Sequence, residues 1–301
     1  MLRKFIVAAV LACSLNAQAA ERITFLLGFS AASGLANNVR LLCQEMNRNQ
    51  DKYEFVADFR PGAGGAIAAN YVLQNPKNTI ISGTSTFFLR SNFDRATGYG
   101  IDSFQGVSIL SSGSPVVLYS SKYASLNELK QAGKITTAIS GYGSHSNLMA
   151  SMLSEISTGV TIVNYPSLVD ATKDILGKHV DTAWHWLYDI QPLVDANKAT
   201  IIAITGTRSI NGHPTFASQG VKGYENVSTN TAVYASIEMP AERVREIYEL
   251  LKEANRSPDI QAHWARELGT TPDLSFSETQ AWYRQQAQFW RDQSSKVKPL
   301  Q

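Results

Sequence analysis

Two periods of hydrophobic positions take turns along this chain. Residues 23–27 form a short β-branched and apolar run. A glycine- and serine-rich turn fills 28–34, and an apolar face then recurs every three to four residues through Met46. The unit repeats, with a strand-like run at 53–59, a turn, and a helical pattern over 66–74. A third run at 79–82 leads into a turn at 83–86. Strands alternating with helices predict an α/β fold with mainly parallel sheets flanked by helices. Such sheets hold ligands at the loops that leave the strand C-termini.

Two apolar runs, 106–110 and 116–119, are parted by Ser111-Ser112-Gly113-Ser114-Pro115, which reads as a crossing between lobes. A second α/β set follows. The pattern predicts strands at 136–139, 161–165, 180–184 and 200–204, and helices at 126–131, 148–158, 168–176 and 191–196. A second crossing is expected near 229–235, and helices over 241–255, 258–268 and 277–295 close the chain. Positions 282, 286, 289 and 290 share one stripe of the last helix and predict packing against a lobe. The expected organisation is lobe one from 20–110 with 236–301, and lobe two from 111–235 including the crossovers.

The N-terminus changes the picture of charge and compartment. Met1-Leu2-Arg3-Lys4 is a cationic start, residues 5–15 are apolar but too short to span a bilayer, and Ala17-Gln18-Ala19 fits a cleavage site. Residues 1–19 therefore read as a secretory signal cleaved near Ala19, and the protein as periplasmic. Lipidation at Cys13 is the competing reading, on a poor lipobox. Without Arg3 and Lys4 the 27 basic residues become 25, equal to the 25 acidic ones. A neutral chain gives no reason to expect nucleic acid or an anionic membrane as partner. One cysteine remains, Cys43, on the apolar face of a helix, so no intrachain disulfide forms and a core role is expected.

Candidate chemistry centres first on Arg60-Pro61-Gly62-Ala63-Gly64-Gly65, between a strand and a helix. A glycine-rich turn lets backbones approach closely, and a helix N-terminus suits an anion. Catalytic and cofactor motifs are missing. Gly28-Phe29-Ser30-Ala31-Ala32 and Gly83-Thr84-Ser85-Thr86-Phe87 lack the last glycine of a hydrolase elbow. The 62–65 turn is not a dinucleotide fingerprint, and His179 and His185 do not have zinc-helix spacing. No catalytic residue, metal or cofactor is expected. Arg60 reads equally as an anion clamp or as part of an ion pair.

An ordered set of segments resembles the Bug-type extracytoplasmic receptors of tripartite tricarboxylate transporters. The set comprises the 28–34 turn with Arg40-Leu41-Leu42, the 60–65 turn, Gly83-Thr84-Ser85, and Gly141-Tyr142-Gly143-Ser144-His145-Ser146-Asn147-Leu148. Val163-Asn164-Tyr165, Gly177-Lys178-His179-Val180-Asp181, Ala203-Ile204-Thr205-Gly206-Thr207-Arg208 and Pro240 complete it. The resemblance implies a two-lobed, type II-like periplasmic binding protein with its cleft between the lobes. It implies a small carboxylate ligand, delivered to membrane permease subunits by a monomeric receptor, with no enzymatic activity. The ligand's carboxylates are then expected on two facing loops, at Phe29, Ser30, Ala32, Ser33 and Gly34, and at Gly143, Ser144, His145 and Ser146. Ala63, Gly64, Thr84, Ser85, Tyr165 and His185 complete the expected site. Neither main loop carries Lys or Arg, so helix dipoles and N–H or hydroxyl donors would supply the positive potential. Each of these serines also reads as a plain helix cap.

The chain departs from the family pattern at ligand-facing positions. Its first turn is Ser30-Ala31-Ala32-Ser33-Gly34 rather than proline- and glycine-rich, and Ala36 stands where an acidic residue is common. His185, between Trp184 and Trp186, stands where an aspartate is common, and Asn230-Thr231 where an aromatic pair is common. Loss of the acidic positions disfavours a ligand bearing an ammonium group. His185 reads either as a donor to an acid or as a satisfied core histidine. Two other functions stay open on sequence: a sensory co-receptor for a membrane kinase, and a secreted α/β hydrolase.

Overall fold

The computed structural model describes residues 19–31, 33–48, 50–84, 87–89, 91, 98–154, 156–165, 168–266 and 269–294. The expected signal segment up to Gln18, with Cys13, and the expected site residues Ala32 and Ser85 lie outside them.

Two five-stranded sheets form two lobes. The first has the order β2-β1-β3-β10-β4, from strands Glu21–Leu27 (β1), Tyr53–Phe59 (β2), Thr79–Thr84 (β3), Phe104–Ser114 (β4) and Thr229–Ser236 (β10). The second has the order β7-β6-β8-β5-β9, from Val116–Ser120 (β5), Lys134–Ile139 (β6), Gly159–Asn164 (β7), Thr182–Trp186 (β8) and Thr200–Ile204 (β9). The sheets are mixed. β1 runs parallel to β2 and β3, and β6 parallel to β7 and β8. β10 runs antiparallel to β3 and β4, and β5 antiparallel to β8 and β9. In each sheet the strand in fourth position is the one the chain enters from the other lobe, and it is the antiparallel one. Residues 111–114 end β4, and 229–235 make up nearly all of β10, both in the first sheet.

Helix α1 (Gly34–Arg48) buries Leu35, Ala36, Val39, Leu42, Cys43 and Met46, the stripe its sequence predicts, against the first sheet and α7 (Ala241–Asn255). Lobe one also carries α2 (Ala66–Gln74) and α8 (Pro258–Arg266). Lobe two carries α3 (Leu126–Ala132), α4 (His145–Leu153), α5 (Leu168–Leu176) and α6 (Leu187–Asp195). The closing helix α9 (Phe276–Ser294) buries Thr279, Tyr283, Ala287 and Trp290 along β4, and Tyr283 donates to the Ile101 carbonyl at 2.7 Å. One core cluster runs without a break from Leu26, Ile81 and Tyr283 in lobe one to Leu118, Leu148 and Trp184 in lobe two.

The elements that carry the cleft differ in detail from expectation. α4 opens at His145 rather than 148, because the Ser144 hydroxyl accepts from the Asn147 N–H and starts the helix earlier. β8 runs through Trp186 rather than stopping at 184, which puts His185 and Trp186 at the strand's C-terminal end.

Candidate functional site

Strand C-termini of both sheets face one cleft. In lobe one the β1–α1 turn lies backbone to backbone on the turn before α2: a Cβ added to Gly28 would sit 2.6 Å from the Gly65 Cα. Gly65 holds φ at 94°, a left-handed value that favours glycine. The Arg60 N–H binds the Leu27 carbonyl at 3.0 Å and locks the two turns together. Arg60 itself is an ion pair, its Nε 2.8 Å from Asp58 Oδ2 and its guanidinium 3.5 Å from the centre of the Tyr71 ring. It braces the turn. Arg40 secures the first turn from the other side, donating to the Ala31 carbonyl at 2.9 Å.

In lobe two the β6–α4 turn is held by a hydroxyl network. Ser146 Oγ accepts from the Ser140 N–H at 3.0 Å and lies 2.9 Å from Ser144 Oγ. The Gly143 N–H donates to Asn147 Oδ1 at 3.0 Å. His145 and Ser146, as the first residues of an α-helix, present backbone N–H groups with no acceptor inside the helix. The His145 ring is buried 5.4 Å from the Trp290 ring, and burial pushes its pKa down to about 4, so it is neutral near pH 7.

Between the lobes lies a cavity of about 50 Å³. Lobe one contributes Phe29, Thr84 and Thr229. Lobe two contributes Ser140, His145, Ser146 and Leu168, with Val116 at the crossing and the run Trp184, His185 and Trp186. No Asp, Glu, Lys or Arg lines it among the described residues. Pockets that hold small ligands measure about 300–1,000 Å³, so the lobes stand close together and must part to admit one. A larger depression of about 230 Å³ lies on lobe one between Glu45, Met46, Leu250 and Arg256. It touches no strand C-terminus, and the inter-lobe cleft is the better site.

Three consecutive residues of β8 set the character of this cleft. Trp184 is fully buried, stacked near Tyr224 (5.8 Å, 10°) and Phe216 (5.7 Å, 19°), and its indole Nε1 has no acceptor within hydrogen-bond distance. Such a donor costs about 1–3 kcal/mol when left unmet. His185 places Nδ1 3.0 Å from the Trp186 backbone nitrogen and 2.9 Å from Asp189 Oδ2. One nitrogen cannot accept from an amide and donate to a carboxylate at once. The Trp186 N–H is directed at Nδ1, which accepts from it, and the Asp189 carboxylate lies beside that bond. Trp186 is half-buried; its Nε1 donates to Thr229 Oγ1 at 2.9 Å, so lobe two is tied to a strand of lobe one.

Of the expected site residues, Phe29, Thr84, His145, Ser146 and His185 meet on this wall. Others sit beside it with protein partners of their own. Ser33 Oγ accepts from the Ala36 N–H, Ser144 caps α4, and the Tyr165 hydroxyl donates to Asp174 Oδ2 at 2.6 Å. Burial and then Asp174 push Tyr165 up to about 12. Ser30 and Ala63 are exposed, Gly34 opens α1, Gly64 lies in the 3₁₀ turn Ala63–Gly65, and Gly143 is spent on Asn147. Sequence reasoning missed Val116, Ser140, Leu168, Trp184, Trp186 and Thr229. The crossing segments were the available signal for Val116 and Thr229, since whatever joins two lobes also floors the cleft between them.

The chain matches the family model described as the tripartite tricarboxylate transporter family receptor over residues 39–301. It is 26% identical over 261 residues to the UPF0065 protein in the TAR-I ttuE-ttuC' intergenic region of Agrobacterium vitis, covering 81% of this chain and 74% of that one. Three solved structures share its fold. The periplasmic binding protein BugD matches at TM-score 0.80 and 21% identity, over 92% of this chain and 97% of its own. MatC from Rhodopseudomonas palustris, with bound malate, matches at 0.79 and 18%, over 91% and 99%. Rpa4515 of R. palustris, with adipate, matches at 0.79 and 21%, over 92% and 97%.

Proposed function

The chain belongs to the receptor family of the tripartite tricarboxylate transporters, and from that premise we propose that this periplasmic receptor captures a small carboxylate between its lobes and presents the closed form to the permease subunits of a membrane transporter. The observation that carries the ligand class is the cleft's wall. Its polar groups are hydroxyls, two imidazoles, indole N–H groups and the opening N–H groups of α4, and among the described residues no carboxylate lines it to receive a cation. A helix N-terminus and convergent donors favour an anion without any Lys or Arg. MatC holds malate and Rpa4515 holds adipate on the same fold, in keeping with this class.

Closure is a hinge about the two crossings, one at Pro115 between β4 and β5 and one before β10. Capture needs no covalent chemistry, only donors that converge as the lobes meet. A thermal-shift screen of mono-, di- and tricarboxylates, aromatic acids included, tests the reading. At a hundredfold excess over its dissociation constant a true ligand stabilises the fold by about 2.7 kcal/mol. A flat melting temperature across the whole panel would sink the carboxylate assignment.

A further inference from the structure

The cleft is asymmetric. Lobe two brings the donors: the Trp184 indole N–H, the first N–H groups of α4, the His145 and His185 rings, and the Ser140 and Ser146 hydroxyls, which also bond to one another and to Ser144. Lobe one brings the Phe29 ring and two threonines, and Thr229 is already committed, accepting from Trp186 and donating to the Ser114 carbonyl at 3.2 Å. The lobe-two end of a ligand would therefore meet more donors than the lobe-one end, where the Phe29 ring and Thr84 face it. Phe29 and Trp186 are both half-buried, one from each lobe, so each has ring surface left to cover.

On the reading that the ligand is a carboxylate, we propose that Trp184 donates its indole N–H to that carboxylate, and that the ligand is an aromatic monocarboxylate whose ring lies between Phe29 and Trp186. A fully buried donor with no acceptor among the described residues, on a residue of the cleft wall, is satisfied by a ligand oxygen. Trp184 is held by its stack on Phe216 and Tyr224, so its N–H is fixed in place before a ligand arrives. A flat ring suits an aromatic-lined slot through offset or edge-to-face contacts. A second carboxylate at the lobe-one end would leave water for a ring and two hydroxyls, one of them already committed. The ring takes its place as the lobes part, because the present cavity is too small for it.

The experiment uses the whole protein with benzoate as probe, beside cyclohexanecarboxylate, malate and adipate, followed by titration calorimetry and by ¹⁵N-indole NMR. Benzoate should bind more tightly than the other three, and Trp184→Phe, which keeps the aromatic stack, should weaken it about ten- to hundredfold. The Trp184 indole proton, assigned through its proximity to the Phe216 ring, should move downfield as benzoate saturates. That resonance decides the matter in the unaltered protein if Trp184→Phe does not fold. Equal benzoate affinity in Trp184→Phe, or a resonance that stays put at saturation, overturns the donor role. Tight binding of malate or adipate with none of benzoate overturns the ligand class while leaving the carboxylate reading intact. Failure of all four acids to bind, with none found in the wider screen, removes that reading itself and this inference with it.

Discussion

At the scale of single residues, His145 shows how position in the fold selects a property. It opens α4, where the helix dipole disfavours a positive charge, and it is buried against Trp290. Burial holds its pKa at about 4 against an ordinary value of 6.5. The folded-state value is the lower one, so the unfolded chain binds the proton first as pH falls. The stability His145 leaves intact above pH 6.5 is lost progressively down to pH 4, by about 3 kcal/mol in full. His145→Phe keeps a ring beside Trp290 and cannot titrate. Its melting temperature should therefore fall less steeply than the wild type's between pH 6.5 and 4, and parallel profiles would refute the assignment. Cys43 was readable from its helical face alone, and it is buried with its thiol pushed up to about 12, desolvation being the main cause. Ser144 and Ser33 were not separable in the same way. A capping hydroxyl and a ligand-binding hydroxyl look identical in sequence, and only the bonds to Asn147 and Ala36 show which atoms are occupied.

At the scale of elements, the glycine turn at 62–65 does its work through another turn. Gly28 and Gly65 touch with no room for a side chain, so the β1–α1 and β2–α2 turns form a single wall that carries Phe29. The obstacle to a Cβ on Gly28 is backbone, which cannot swing aside as a flexible side chain would. Gly28→Ala should destabilise the protein by about 1–3 kcal/mol and weaken whatever ligand the screen finds, because Phe29 shifts with the turn. Urea melts and a ligand titration check both halves, and a variant as stable as wild type would show that the turns can separate freely. Strands β1 and β2 and helices α1, α5 and α7 could be read almost to the residue, since an apolar period records which face is buried. The ends around the cleft could not. α4 begins earlier because of a cap, and β8 runs on to Trp186 because its pairing with Val116 extends it. The antiparallel placement of β10 was invisible too: Val233 pairs with Ser82 on one side and Ser108 on the other, and nothing local in sequence encodes such distant partners.

At the scale of the whole molecule, the last helix decides whether two lobes behave as two domains. Trp290 is buried at the far end of α9, beside His145 of lobe two. Its indole N–H donates to Gln286 Oε1 at 3.1 Å, and that oxygen also accepts from Asn230 Nδ2 at 3.2 Å. Asn230 Oδ1 in turn accepts from Ser112 Oγ at 2.8 Å, at the edge of the first crossing. Asn230 is thus the polar joint between α9 and both hinge strands. Because the core cluster is continuous through this joint, the lobes should unfold together, in one calorimetric transition whose van't Hoff and calorimetric enthalpies agree. Trp290→Ala opens a cavity at the joint and should cost about 3–5 kcal/mol. The loss falls on the contact that couples the lobes, so the single transition should broaden or split, with lobe two melting first. The split discriminates, since any large core truncation lowers the melting temperature. A wild-type protein that already melts in two steps, or a Trp290→Ala variant that melts lower yet still in one two-state step, would place the coupling elsewhere in the hinge.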